Sequence, residues 1–147
     1  MVLAATGILS PQKTMVPADL RWEWRVAALI LLLARSHGRS ASLSQVQAYG
    51  RGMLAPEAQP ALQSGRRDPF SSVPQFRDDP AWLRATELAV GLGYARWQRS
   101  GRIEITDHGQ DAVREIAESG ALAPEQAFLA TVRPTAAAVE RIRGRER

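Results

Sequence analysis

The sequence has no cysteine and no long apolar run. Without cysteine the chain has no disulfide framework, no thiol nucleophile and no cysteine-ligated zinc. The longest uninterrupted apolar stretch is 26–34, which is far shorter than the roughly 20 residues that a helix needs to cross a bilayer. The start of the chain lacks the basic region of a secretory signal. These absences predict a cytoplasmic protein that has no membrane partner.

Motifs of the common enzyme classes are also missing. The sequence has no Gly-x-x-x-x-Gly-Lys phosphate loop and no Gly-x-Ser-x-Gly nucleophile turn. Gly91 and Gly93 are typical of a helix end rather than of a dinucleotide site. The two histidines, His37 and His108, lack the paired spacing of metal ligands. We therefore expect no catalytic residue, no metal, no cofactor and no small-molecule substrate.

Positive charge is concentrated at the carboxyl end. The 147 residues include 19 lysines and arginines against 15 acidic residues, a net charge of +4. Residues 133–147 hold five of the arginines and two of the glutamates, so this tail carries +3 and 1–132 only +1. Net charge therefore predicts no basic face on the body of the protein. The tail is interpreted either as a nonspecific nucleic-acid arm or as a frayed, solubilising helix end.

Apolar spacing predicts two helices in the first third of the chain. The first runs from about residue 20 to 36, with Asp19 as its N-cap, and is apolar on two faces, which places it at the centre of the core. The second begins at Ser42, where Ser42 and Gln45 match a capping box, and it ends before Pro56.

A long irregular insert is predicted over 53–77, with one short helix at 57–64. A loop of this length inside a compact domain is often functional. A third helix opens with Asp79 as N-cap and Pro80 at its first position. Its predicted buried stripe consists of Trp82, Ala85, Ala89 and Leu92.

The pattern then changes to a hairpin and further helices. Strands are predicted at 94–99 and 102–106 around a Ser-Gly turn, and Thr106 is a good N-cap for a helix ending at 119. Two short helices are expected at 125–132 and 135–143. The inward side chains expected on the longer helix are Ala112, Val113, Ile116 and Ala117.

This order of elements indicates a mainly α fold with a small β-hairpin, the winged helix-turn-helix pattern. The stretch 88–116, with "G-L-G-Y", "S-G-R" and "I-T-D-H-G", resembles the wing of bacterial winged-helix proteins. The predicted organisation is a flexible leader over 1–18, a winged-helix domain over 19–119 and a C-terminal helical extension with a basic tail over 120–147. Translation from either Met1 or Met15 fits this organisation.

Residues 22–142 resemble the small middle component of ABC three-component bacterial conflict systems. The similarity lies in "R-S-A-S-L-S-Q-V-Q", the proline-rich insert, "D-P-A-W-L-R-A-T-E-L-A-V-G-L-G", "G-R-I-E-I-T-D-H-G" and "R-P-T-A-A-A-V-E-R-I". The resemblance implies a non-enzymatic adaptor that bridges an SMC- or Rad50-like ABC ATPase and an effector protein in antiphage defence. It brings no catalytic residues.

Two other functions remain open at this point. One is a DNA-binding transcriptional regulator, a dimer of the MarR type, and the other is an accessory subunit of a chromosome-organising SMC complex. The regulator is disfavoured because a DNA-reading helix-turn-helix has a turn of about 3–4 residues, whereas a long insert precedes the third helix here. The acidic start of that helix, Asp78 and Asp79, also opposes contact with phosphates.

Candidate binding residues are arginines and exposed aromatics. We expect any DNA contact to be independent of sequence, and its candidate residues are Arg96, Arg99 and Arg102 of the wing and Arg84 of the third helix. The same wing charges also fit a solvated hairpin tip or an acidic protein partner. Trp24 and Trp82 are expected in the core. Candidate partner-binding residues are Trp22, Trp97, Arg66, Arg67 and Phe70.

Overall fold

The structure is a computed structural model, which describes residues 21–64 and 79–132. Its elements follow in the order helix, strand, three helices, two strands and two helices. They are α1 (Trp22–Arg35), β1 (Ser40–Ala41), α2 (Leu43–Leu54), α3 (Gln59–Ser64), α4 (Pro80–Gly91), β2 (Ala95–Trp97), β3 (Ile103–Ile105), α5 (Asp107–Ser119) and α6 (Ala123–Thr131).

Helix α1 forms the centre of the core, as its two apolar faces predict. Residues 24–33 are all buried, and the helix packs against α2, α4, α5 and α6. It begins two residues later than expected, with Arg21 at the N-cap position making no side-chain capping bond. The predicted cap, Asp19, lies outside the described residues. Burial on all sides fixes this helix without help from a capping side chain.

The capping box at the start of α2 is confirmed. The backbone N–H of Ser42 donates to Gln45 Oε1 at 2.9 Å, and the N–H of Gln45 donates to Ser42 Oγ at 3.2 Å. Each side chain thus satisfies a backbone donor that the first turn leaves without a partner. The helix ends before Pro56, also as predicted.

The insert is partly helical. A 3₁₀ turn over Pro56–Ala58 leads into α3, which confirms the short helix predicted at 57–64. Helix α4 then begins after Asp79, whose Oδ1 accepts from the N–H of Ala81 at 2.9 Å. Three members of the expected stripe of α4 are buried, but Leu92 is 40% exposed. The prediction for Leu92 is wrong because α4 ends at Gly91, beyond the edge of the core.

A three-stranded antiparallel sheet has the order β1-β3-β2. The hairpin strands β2 and β3 are shorter than predicted and pair Ala95 with Ile105 and Trp97 with Ile103. Strand β1 pairs Ser40 with Glu104, and no sequence pattern predicts it. Two residues give no detectable alternation, so this strand exists only through its pairing with β3.

Helices α5 and α6 complete the described part of the fold. Thr106 caps α5, and Gly120 ends it in the left-handed region, with φ of 73°. Ala112 and Ile116 face the core as expected, whereas Ala117 is exposed. The prediction for Ala117 is wrong because the buried side of α5 is narrow, and only Gly109, Ala112 and Ile116 are fully buried on it.

The fold class is therefore mainly α with a small antiparallel sheet. Helix α6 buries Phe128 and Leu129 in the same core as α1 and α2, so this part of the predicted extension packs onto the body. The helix expected at 135–143, the tail and the leader lie outside the described residues. None of the helices described here combines the length and apolarity of a membrane span.

Candidate docking groove and hairpin

The hairpin β2–β3 carries three of the predicted arginines, and its turn is well formed. The backbone N–H of Gln98 donates to the carbonyl of Arg102 at 2.8 Å, and Gly101 adopts φ of 86°. That left-handed conformation suits glycine, which has no Cβ. The turn thus holds Arg99 and Arg102 close to the end of the hairpin.

Arg96 is used within the hairpin. Its Nε donates to Glu104 Oε2 at 3.0 Å across the strand pair, and Gln98 Nε2 donates to the same oxygen at 3.3 Å. The hydrogen bond from Arg96, and to a lesser extent the one from Gln98, lowers the pKa of Glu104. The same contact raises the pKa of Arg96. The charge of Arg96 is therefore already partly neutralised on this face of the sheet.

Arg102 connects the hairpin to β1. Its Nε donates to Ser40 Oγ at 3.2 Å, and its terminal nitrogen donates to the Ser40 carbonyl at 3.0 Å. Arg99 is exposed and makes no hydrogen bond or ion pair with the other described residues. Of the three wing arginines, only Arg96 is paired with an acid, and only Arg99 has its guanidinium N–H groups free of bonds to the described residues.

A groove between α1 and α4, which we call the α1–α4 groove, brings two predicted residues together. Trp22 lies at the start of α1 and is 46% exposed, and Arg84 lies on the exposed side of α4. The groove has a volume of about 480 Å³. Its walls are mainly apolar, and its lining residues are Trp22, Arg25, Ala81, Arg84, Ala85 and Leu88.

A polar network joins the helices beside the α1–α4 groove, and one of its members, Arg25, lines the groove. Arg25 donates to Asp79 Oδ2 at 2.8 Å, and its guanidinium lies 5.0 Å from the centre of the Trp82 ring. Gln47 of α2 bonds the backbone of Asp79 twice, through the Asp79 N–H at 2.8 Å and the Asp79 carbonyl at 3.1 Å. This network fixes the spacing between α1, α2 and α4.

Sequence patterns do not identify Arg25 and Gln47 as members of this network, nor Asp79 as the partner of Arg25. Asp79 was expected only as an N-cap, and the capping bond is present. The available signal is a basic residue inside a helix that is otherwise buried, since Arg25 is only 9% exposed. A buried arginine requires a partner, but the sequence does not say which acid supplies it.

The other predicted residues are placed as follows. Trp24 and Trp82 are in the core, as expected, with ring centres 6.1 Å apart. Trp97 lies on β2 and is 43% exposed, outside the α1–α4 groove. Three predicted partner-binding residues lie outside the described residues: Arg66, Arg67 and Phe70.

Tyr94 and His108 form a stacked pair beside the hairpin. Their rings are 4.9 Å apart at an angle of 18°. Burial, followed by the charge of Glu115, raises the pKa of the Tyr94 hydroxyl. Within residues 21–64 and 79–132, no group of three histidine or acidic side chains is placed to hold a metal ion.

The groove and the hairpin differ in what they offer a ligand. The α1–α4 groove combines an exposed indole, aliphatic walls and the cation of Arg84. The hairpin offers the arginine Arg99, which has no bond to the described residues, and the exposed indole of Trp97.

No protein-family model, curated protein or solved structure matches this chain.

Proposed function

We propose that the protein is a non-enzymatic winged-helix adaptor that bridges an ABC- or SMC-like ATPase and an effector protein in the cytoplasm, in antiphage defence. The observation that carries the proposal is the α1–α4 groove, with a half-exposed Trp22 on its rim. Half-exposed tryptophans beside apolar clefts are the usual anchors of protein interfaces.

The order of elements supports the winged-helix assignment. A helix and a short strand precede two main helices, and a hairpin follows, with β1 at the outer edge of β3. The insert between α2 and α4 is the departure from this pattern. It separates the two helices that a DNA-reading helix-turn-helix joins by about 3–4 residues.

The exposed side of α4 favours a protein partner over a DNA base reader. Its charged residues are Arg84 and Glu87, which cancel, and it also exposes Leu83. A surface without net positive charge gains little from the phosphate backbone. Two of the three hairpin arginines are bonded within the protein as well.

The chemistry of the α1–α4 groove defines the partner segment that would fit it. Trp22, Ala81, Ala85 and Leu88 favour an apolar side chain, and Arg84 favours a carboxylate next to it. We therefore expect the ATPase or the effector to insert an acidic, apolar segment between α1 and α4.

The test compares two tryptophans with similar exposure. The tagged full-length protein is purified from its host with nuclease and high salt, as wild type, as Trp22→Ala and as Trp97→Ala. We expect an ABC-type ATPase in stoichiometric amount with the wild type and with Trp97→Ala. With the purified ATPase, Trp22→Ala should raise the Kd of the complex by about 30-fold, which corresponds to a loss of about 2 kcal/mol of binding free energy, typical of a hot-spot residue.

Two outcomes would contradict the proposal at different levels. Loss of the ATPase with Trp97→Ala and not with Trp22→Ala would move the contact from the groove to the hairpin. Recovery of the protein alone, as a dimer that binds a specific palindromic DNA at low salt, would replace the adaptor with a transcriptional regulator.

A further inference from the structure

The turn between α1 and β1 has an unusual backbone. Gly38 and Arg39 both lie in the left-handed region, with φ of 68° and 57°. Glycine adopts this conformation readily, but a residue with a Cβ is disfavoured there, and glycine or asparagine is the common choice. Non-glycine residues in this conformation are concentrated at binding and active sites, so Arg39 is a candidate binding residue.

The side chain of Arg39 extends across to α5. Its terminal nitrogen donates to Gln110 Oε1 at 3.3 Å. Between the two elements is a hollow of about 200 Å³, which we call the α5 hollow. It has space for about six water molecules at ~30 Å³ each, enough for a phosphoryl group. Its lining residues are Ala34, Arg39, Gln110, Val113 and Arg114.

Positive charge predominates around the α5 hollow. Arg39 is exposed, and Arg114 is paired only with Asp111, three residues earlier on the same helix. Both side chains of that pair are more than half exposed, so the ion pair is weak, and Arg114 can exchange Asp111 for another anion. Arg35 in the last turn of α1 is exposed and follows the lining residue Ala34 in the chain, but does not itself line the hollow.

Helix α5 carries four acidic residues, Asp107, Asp111, Glu115 and Glu118, none of which lines the hollow. Asp111 offsets one arginine through its pair with Arg114. Asp107, at the start of α5, acts on Arg96 of the hairpin, which places it toward the sheet. His37 is exposed in the same turn as Arg39.

We propose that the α5 hollow binds a phosphoryl group, with the guanidinium groups of Arg39 and Arg114 as its ligands. Gln110 positions Arg39, because it is the acceptor that holds the side chain over the hollow. Arginine suits this role because its planar fork of N–H groups matches phosphate oxygens. The phosphoryl group belongs either to a nucleic-acid backbone or to a free phosphate compound. The proposal stands independently of the adaptor function.

The test uses substitutions that the backbone tolerates. Arg39→Gly and Arg39→Asn remove the guanidinium and keep a residue type suited to positive φ. Arg114→Gln removes the second ligand. The control with the same change in charge is Arg51→Gln, because Arg51 lies in the last turn of α2 and lines neither the α5 hollow nor the α1–α4 groove. Binding of the full-length protein to a short fluorescein-labelled duplex is measured by anisotropy over a salt series. In parallel, the Tm is followed with inorganic phosphate at constant ionic strength.

If the ligand is a nucleic-acid backbone, each substitution at Arg39 or Arg114 should reduce the magnitude of the slope of log K against log salt by about 1, and Arg51→Gln should not. If it is a free phosphate compound, inorganic phosphate should raise the Tm of the wild type and not of Arg39→Gly, with no change in the duplex slope. The proposal is overturned if neither effect occurs, or if Arg51→Gln reduces the slope as much as the substitutions at Arg39 and Arg114.

Discussion

Single residues show how tightly the hairpin joins α5. Gly109 lies in the first turn of α5, where a Cβ would collide with the carbonyl oxygen of Tyr94 and come within 2.7 Å of Ile105 Cγ1. The carbonyl of Tyr94 cannot easily move, since it accepts a hydrogen bond from the N–H of Thr106 at 3.0 Å. The position therefore requires glycine for space and not for its φ angle.

We expect Gly109→Ala to lower the free energy of unfolding by about 1–3 kcal/mol, the usual range for overpacking. The control is Gly91→Ala at the end of α4, where a Cβ would meet nothing within 4 Å. That variant should be neutral or more stable by up to about 1 kcal/mol, because alanine favours a helix. Urea denaturation measures both, and equal stabilities would show that the hairpin and α5 separate easily.

At the scale of elements, α1, α2 and α4 depend on one buried glutamine. Gln47 is 7% exposed and bonds both backbone groups of Asp79, while Asp79 caps α4 and pairs with Arg25. Replacing both partners of a buried hydrogen bond by apolar groups can be nearly neutral, but removing only one partner leaves the other unpaired. Here the replacement leaves the Asp79 N–H without its acceptor, whereas the Asp79 carbonyl still accepts from the N–H of Trp82 at 3.0 Å.

We expect Gln47→Leu to lower the free energy of unfolding by about 1–3 kcal/mol, since each unpaired buried polar group carries a desolvation cost of that order. Gln63→Leu is the matched control, because Gln63 is exposed and makes a single side-chain bond to Thr131. It should change stability by less than about 0.5 kcal/mol. A Gln47→Leu protein as stable as wild type in chemical denaturation would show that water replaces these bonds.

The ends of elements could be predicted from the sequence where the cause is local. The caps at Ser42, Asp79 and Thr106 are examples, because each cap acts within three residues of its own position. Strand β1 could not be predicted, since its partner Glu104 is far away in the chain. Leu92 continues the apolar spacing of α4, but spacing does not reveal where a helix leaves the core.

The candidate sites were less predictable for the same reason. Trp22 and Arg84 were expected to contact different partners, and the packing of α1 on α4 places them in one groove. The hairpin arginines were expected to be available together, but Glu104 and Ser40 engage two of them. Arg39 had no distinguishing pattern, because its positive φ and its contact with Gln110 arise only in the folded chain.

At the scale of the whole molecule, the C-terminal part of the described chain belongs to the core. Phe128 of α6 is 4% exposed and lies close to Gly52 of α2, where a Cβ would come within 2.6 Å of the phenyl ring. The absence of a side chain at Gly52 therefore makes room for Phe128. Helix α6 also contacts α1, so it covers two helices of the domain at once.

We expect Phe128→Ala to lower the free energy of unfolding by about 3–5 kcal/mol, the cost of removing a buried phenyl group and leaving a cavity. Because a domain of this size has only about 5–15 kcal/mol in total, the variant should lose much of its stability in one cooperative transition. Ala130→Ser, at an exposed position of the same helix, is the control and should change little. If urea unfolding of Phe128→Ala keeps the wild-type midpoint, α6 is an appendage that opens independently, and the domain ends at α5.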